Sequence, residues 1–133
     1  MGACPVELSP EAHDLLLAAS SHLPHVVAAA LVHTAAGTAR EGRSALELVG
    51  GGFRDATRIA QGSAELWTAI LRQNRVALLE AMEAFLAALE AFRRAMESED
   101  PSDLKKWLDT AAQLRSQLKP DHSKDEHGSR DSS

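Results

Sequence analysis

The sequence predicts an all-α protein, a helical bundle with one long central helix. Three observations carry this. Apolar residues recur at helical spacing, and no stretch shows the period-two alternation of a strand. Helix starts are written into the chain at Ser9-Pro10, Ser63 and Pro101-Ser102. Gly37 and the Gly62-Ser63 pair punctuate the long apolar runs as stops and separators.

In chain order, Ser9 caps the first helix, Pro10 fills its first position, and Glu11 sets an acid near the positive end of the dipole. The run continues to Gly37 and is apolar on nearly every face, the pattern of a central helix wrapped by others. Pro24 lacks a backbone donor and clashes with the preceding turn, so a kink or break is expected there. Residues 38–49 read as a polar loop and a short helix. Gly50, Gly51 and Gly52 read as a flexible loop, and residues 53–60 as a helical turn. Ala64 to Ser98 reads as one continuous helix, about 50 Å long at roughly 1.5 Å per residue. Leu71, Leu78, Met82, Phe85, Leu89, Phe92 and Met96 fall on its heptad seam, and so long a seam wants another helix along it, as in an intertwined dimer. Asn74, polar within this helix, reads as a register device or a hydrogen bond to a loop. The last helix starts at Pro101 and presents Leu104, Trp107 or Leu108, Ala111, Leu114 and Leu118. The helical domain is placed at 9–118. Residues 119–133 have no apolar side chain and are expected to form a disordered tail.

Composition bounds the function. With 44% hydrophobic residues, 133 residues suffice for one domain with a core. A net charge of -5 argues against a nucleic-acid platform, which needs clustered positive charge. The single cysteine, Cys4, cannot form an internal disulfide and fits a reducing compartment. The opening "MGACPVELSPE" has neither the basic start nor the apolar run of a signal peptide. Leu15–Ala36 is interrupted by Ser20, Ser21, His22, Pro24, His25 and His33, so it reads as a buried helix and not as a bilayer span. The expectation is a cytoplasmic protein with neither nucleic-acid nor membrane partners.

Two stretches carry candidate chemistry. In "VGGGFRDATRIA" three glycines lead into Arg54, Asp55 and Arg58. Bare backbone lets a ligand come close, and two arginines one turn apart offer planar forks that fit carboxylates. Together they describe an anion pocket. The plainer alternative is that the glycines turn the chain while the arginines pair with Asp55 or Glu47 at the surface. In "SSHLPHVV", His22 and His25 are three residues apart and share a helical face beside a disrupted turn. They suit hydrogen bonding or proton transfer to a polar ligand, or else are satisfied core histidines. Zinc would need further ligands, and the one cysteine lies near the chain end. Trp67, one turn into the long helix, is a core residue unless that helix end meets a pocket.

"SPEAHDLLLAASSHLPHVVAAAL", "GGGFRDATRIAQGSAELWTAILRQN" and the long helix after them resemble the C-terminal helical domain of prephenate and arogenate dehydrogenases, the TyrA family of tyrosine biosynthesis. The likeness runs from about Gly2 to Leu118, with 1–8 resembling the junction between that family's domains. It implies an architecture like the C-terminal domain of 6-phosphogluconate dehydrogenase. It further implies NAD- or NADP-dependent oxidative decarboxylation of prephenate or arogenate in the complete enzyme, which works as a homodimer. By motif, Arg58 would hold a substrate carboxylate, while His22 and His25 would line the pocket. Gly51, Arg54 and Asp55 would shape its loop side, and Trp67 would reach toward the partner subunit's pocket. The sequence has no G-x-G-x-x-G loop after a strand, and the family's histidine against the substrate hydroxyl belongs to the cofactor side. This chain alone is therefore expected to bind no cofactor and to transfer no hydride, and it would work with a separate Rossmann domain. The alternative is a non-catalytic helical dimer that binds an aromatic carboxylate such as tyrosine.

Overall fold

The computed structural model describes residues 7–119, so the expectations for residues 1–6 and for the tail from residue 120 onward lie outside the described residues. The chain divides into two units, Met1–Ala87 and Ala88–Ser133.

The first unit opens on α1 (Pro10–Leu17). Ser9 Oγ accepts the Ala12 N–H at 3.2 Å and Pro10 holds the first position, as the sequence dictates. The expected break at Pro24 takes a different form. The chain widens into a π turn over Ala18–His22 and continues as α2 (Leu23–Gly37). Pro24 has no N–H to offer the preceding turn, and the Leu23 N–H reaches back five residues to the Ala18 carbonyl, the π-type bond. Both histidines end up buried, each 8% exposed.

Residues after Gly37 correct the expectation of a plain loop. Ala39–Arg40 (β1) pairs antiparallel with Arg43–Ser44 (β2), with Ala39 opposite Ser44 and Arg40 opposite Arg43. Glu41 and Gly42 both have positive φ, 53° and 78°, the mark of the tight turn whose twist matches a hairpin. A 3-10 turn, Ala45–Leu48, follows under a Ser44 cap. The glycine triplet is also not a loop. Gly50 is the cap residue and α3 (Gly51–Thr57) winds through Gly51 and Gly52 themselves, followed by a 3-10 turn at Arg58–Gln61.

The long helix is two helices. α4 (Ala64–Gln73), capped by Ser63 Oγ accepting the Leu66 N–H, ends at Asn74, and α5 (Arg75–Glu97) begins directly after it. Asn74 leaves helical geometry (φ -114°, ψ 33°) because its amide is engaged elsewhere, with Nδ2 donating to the Asp14 carbonyl at 2.9 Å. A packed cluster of Ala18, Leu78 and Ala81, with Leu15, Leu23, Val26, Leu71 and Ala77 against it, joins the first helices to the start of α5.

The wrapped central helix is not realised within one chain. Of the run from Pro10 to Gly37, Ala18, His22, His25 and Ala28 are buried, while Leu16, Leu17 and Leu31 stay exposed. That run is long and apolar enough to cross a membrane by length and composition, with mean hydropathy 1.7. Pro24 and the two histidines interrupt its middle.

In the second unit, the end of α5 meets α6 (Pro101–Ser116). Phe92 tilts against Trp107 with centroids 5.1 Å apart, so Trp107 faces α5 while Leu108 is exposed. Asp100 caps α6 by accepting the Ser102 N–H at 2.9 Å, and this bond, aided by the Ser102 side chain, holds its carboxyl below the ordinary 3.8.

Candidate functional site

Two clusters form on the first unit, and α2 supports both. The first is aromatic. Trp67 lies flat on His25, centroids 3.8 Å apart and planes 16° from parallel, and presents an edge to His22 at 6.5 Å and 84°. His22 closes the π turn and His25 follows three residues later in α2, and both rings meet the indole. Gly62 makes the contact possible from the other side. A Cβ there would stand 2.9 Å from Trp67 Nε1 and 3.1 Å from its Cδ1, so only a bare backbone lets the indole fold back over the turn. Trp67 thus packs on a histidine of its own chain. His25 Nδ1 is buried and has no hydrogen-bond partner among the described residues. His22 Nδ1 lies 3.3 Å from Asn74 Nδ2.

The second cluster is cationic. A recess of about 460 Å³ is lined by Val32, Val49, Phe53, Arg54, Thr57 and Arg58. Thr57, the last residue of α3, is buried and donates its hydroxyl back to the Phe53 carbonyl at 2.7 Å within the same helix. Arg58 Nη2 donates to Asp55 Oδ1 at 2.8 Å, with both side chains about three-quarters exposed (76% and 75%). The surface pairing weighed above is therefore present for Arg58. An ion pair so exposed is worth about 0–1 kcal/mol, so an incoming carboxylate can replace Asp55 with little penalty. Arg54 has no ion-pair partner among the described residues.

The glycines tell against a mere turn. Gly51 and Gly52 are helical, and a Cβ on Gly50, Gly51 or Gly52 would meet no atom within 4 Å. Neither backbone strain nor packing within this chain calls for three glycines. Open space lies where they stand, between Val49 and Phe53 of the arginine recess.

The clusters share a ruler. His25, Ala28 and Val32 are spaced three and seven residues along one face of α2, so the histidine corner and the recess are two turns, about 10 Å, apart. His22, His25 and Trp67 come together in one cluster and Arg54, Asp55 and Arg58 in the other, with Gly51 beside the second. The sequence reading missed Gly62, treated there as a separator, although a glycine one turn ahead of a tryptophan is a signal for close packing. It also missed Thr57 and the pairing of Asn74 with His22. Among the described residues, no group of three His, Cys, Asp or Glu side chains converges as a metal site requires.

The first unit thus sets an imidazole–indole corner beside an arginine recess on an all-α scaffold. Residues 9–110 match the profile of the prephenate dehydrogenase dimerization domain, and the chain belongs to that family. The chain is 36% identical over 113 residues to the prephenate dehydrogenase of Bacillus subtilis, covering 85% of this chain and 30% of that protein. It is 38% identical over 116 residues to the cyclohexadienyl dehydrogenase of Zymomonas mobilis, covering 86% and 40%. Among solved structures, the prephenate dehydrogenase of A. aeolicus in complex with hydroxyphenyl propionate and NAD+ superposes with a TM-score of 0.76 at 32% identity, covering 84% of this chain and 39% of that one. The Synechocystis arogenate dehydrogenase superposes with a TM-score of 0.75 at 30% identity, covering 82% and 40%. The chain thus spans between three tenths and two fifths of the length of such relatives.

Proposed function

We propose that this chain is the substrate-binding and dimerisation domain of a prephenate or arogenate dehydrogenase, an enzyme of tyrosine biosynthesis. The observation that carries the reading is the recess in which Arg54 and Arg58 stand beside glycines that no contact among the described residues requires. Prephenate carries two carboxylates on a compact ring. Arg58 can receive one carboxylate in a bidentate fork, with Arg54 adding charge at the same recess. The bare backbone at Gly51 lets the ring approach without meeting a side chain. His22 and His25, held by Asn74 and Trp67, supply hydrogen bonds to the polar end of the ligand.

The nicotinamide cofactor, NAD or NADP, accepts the hydride in such enzymes and would be held by a separate Rossmann domain. This chain's share is to bind and orient the substrate. Its exposed seam residues Leu89 and Met96, together with the exposed Leu16, Leu31 and Leu86, leave apolar surface that a second copy would cover, which supports a homodimer. The same partner surface accounts for an apolar α1–α2 run without invoking a bilayer, in a cytoplasmic enzyme.

Calorimetry with prephenate, arogenate, tyrosine and hydroxyphenyl propionate tests the site. Arg58→Ala is expected to weaken binding of the preferred dianion by about 1–3 kcal/mol, the effect of losing a charge-assisted hydrogen bond. Unchanged affinity in that variant removes Arg58 from the pocket. NAD reduction is expected to need a cofactor domain supplied with the chain. Tyrosine binding with no turnover in that mixture would favour a regulatory module instead.

A further inference from the structure

We propose that Asn74 is a positioning residue that sets the tautomer of His22, holding the neutral imidazole with its proton on Nε2. This rests on the reading of His22 as a pocket residue only for its consequence, not for the tautomer itself. The side chain of Asn74 spans two helices. Its Nδ2 donates to the Asp14 carbonyl at 2.9 Å and also lies 3.3 Å from His22 Nδ1. A backbone carbonyl can only accept, so the amide atom facing it is the nitrogen, because the flipped amide would set oxygen against oxygen. That nitrogen has two hydrogens. One goes to Asp14, and the other points at His22 Nδ1, which must then be a lone pair. The neutral ring therefore carries its proton on Nε2 and offers a donor from that edge.

Everything needed to hold the arrangement is local and rigid. Asn74 sits at the break between α4 and α5, where its own N–H bonds the Leu71 carbonyl and its carbonyl receives the Leu78 N–H. The Asp14 carbonyl is fixed in α1, where it also receives the Ala18 N–H at the entry to the π turn. His22 is the last residue of that turn and is buried, with the Trp67 edge on its flank. The break in the long helix thus has a chemical purpose. It frees one amide to decide which nitrogen of His22 is a donor. A ligand oxygen that only accepts, such as a carboxylate, hydroxylate or keto oxygen, suits Nε2–H. A ligand group that must donate does not.

The test reads the ring directly. Nitrogen-15 imidazole correlation spectra of the whole 133-residue chain, at mildly alkaline pH, report which nitrogen of each histidine is protonated, with His22→Gln identifying the signal. The expected result is an Nε2–H pattern for His22 in the unaltered chain. In Asn74→Asp, whose carboxylate can only accept, the pattern is expected to move toward Nδ1–H. An Nδ1–H pattern in the unaltered chain overturns the proposal, and this arm needs no variant to fold. An unmoved pattern in a folded Asn74→Asp variant overturns it as well. Calorimetry with hydroxyphenyl propionate then addresses the consequence, and Asn74→Leu is expected to weaken it about three- to tenfold, the range of one hydrogen bond. A tautomer that switches while affinity holds leaves the assignment standing and overturns the placement of His22 in the pocket.

Discussion

At the scale of single residues, the histidine corner depends on a residue with no side chain. A methyl at Gly62 would press on Trp67 at 2.9 Å, and the indole cannot yield without leaving His25. Gly62→Ala is therefore expected to destabilise the chain by about 1–3 kcal/mol, the usual effect of overpacking a tight contact. Thermal unfolding followed by circular dichroism checks it, and an unchanged midpoint would mean that the indole moves aside freely. Local residues were the readable ones. Ser9, Pro10 and Ser63 act on neighbours three residues away, so their caps are written in adjacent letters. The stack of Trp67 on His25 joins positions 42 apart and could not be read that way. His25 was singled out by its spacing from His22 and Trp67 by its place one turn into a helix, but neither signal says that the two rings touch.

At the scale of elements, the helices themselves were legible and their interruptions were not. Pro24 announces a disturbance, but whether the helix kinks, breaks or widens depends on which carbonyl the next free N–H finds, and here it found Ala18. Asn74 ends α4 through a bond to Asp14, 60 residues earlier, so no local window contains the cause. The hairpin was missed because Glu41 takes a positive φ that Asn, Asp or Gly would have advertised. The start of α3 offers a test with two opposite signs. Gly51→Ala has open space around it and a helical backbone, so it is expected to stabilise the fold by roughly 0.4–1 kcal/mol. If a ligand approaches there, the same methyl weakens hydroxyphenyl propionate binding in calorimetry. Stabilisation with unaltered affinity would place the ligand elsewhere.

At the scale of the whole molecule, the striking deficit is of buried apolar volume. Among the described residues the buried hydrophobic ones are Ala18, Ala28, Leu78 and Ala81, three of them alanines, while the seam predicted from heptads keeps Leu89 and Met96 in the open. Sequence periodicity identified the seam, and the intertwined dimer expected from it would supply the partner helix. A homodimer makes the unfolding midpoint depend on concentration, since association stabilises the folded state by mass action. Phe85→Asp, on the half-buried edge of that seam, is expected to halve the mass seen by light scattering or to unfold the chain. A folded variant of unchanged mass would show that Phe85 lies outside the contact.

The flat pairing of indole and imidazole has a practical corollary. Only two tryptophans emit in this chain, and replacing Trp107 with phenylalanine leaves Trp67 as the sole source of light. Its brightness and colour then report, with no attached dye, whether anything has slipped in beside the two histidines.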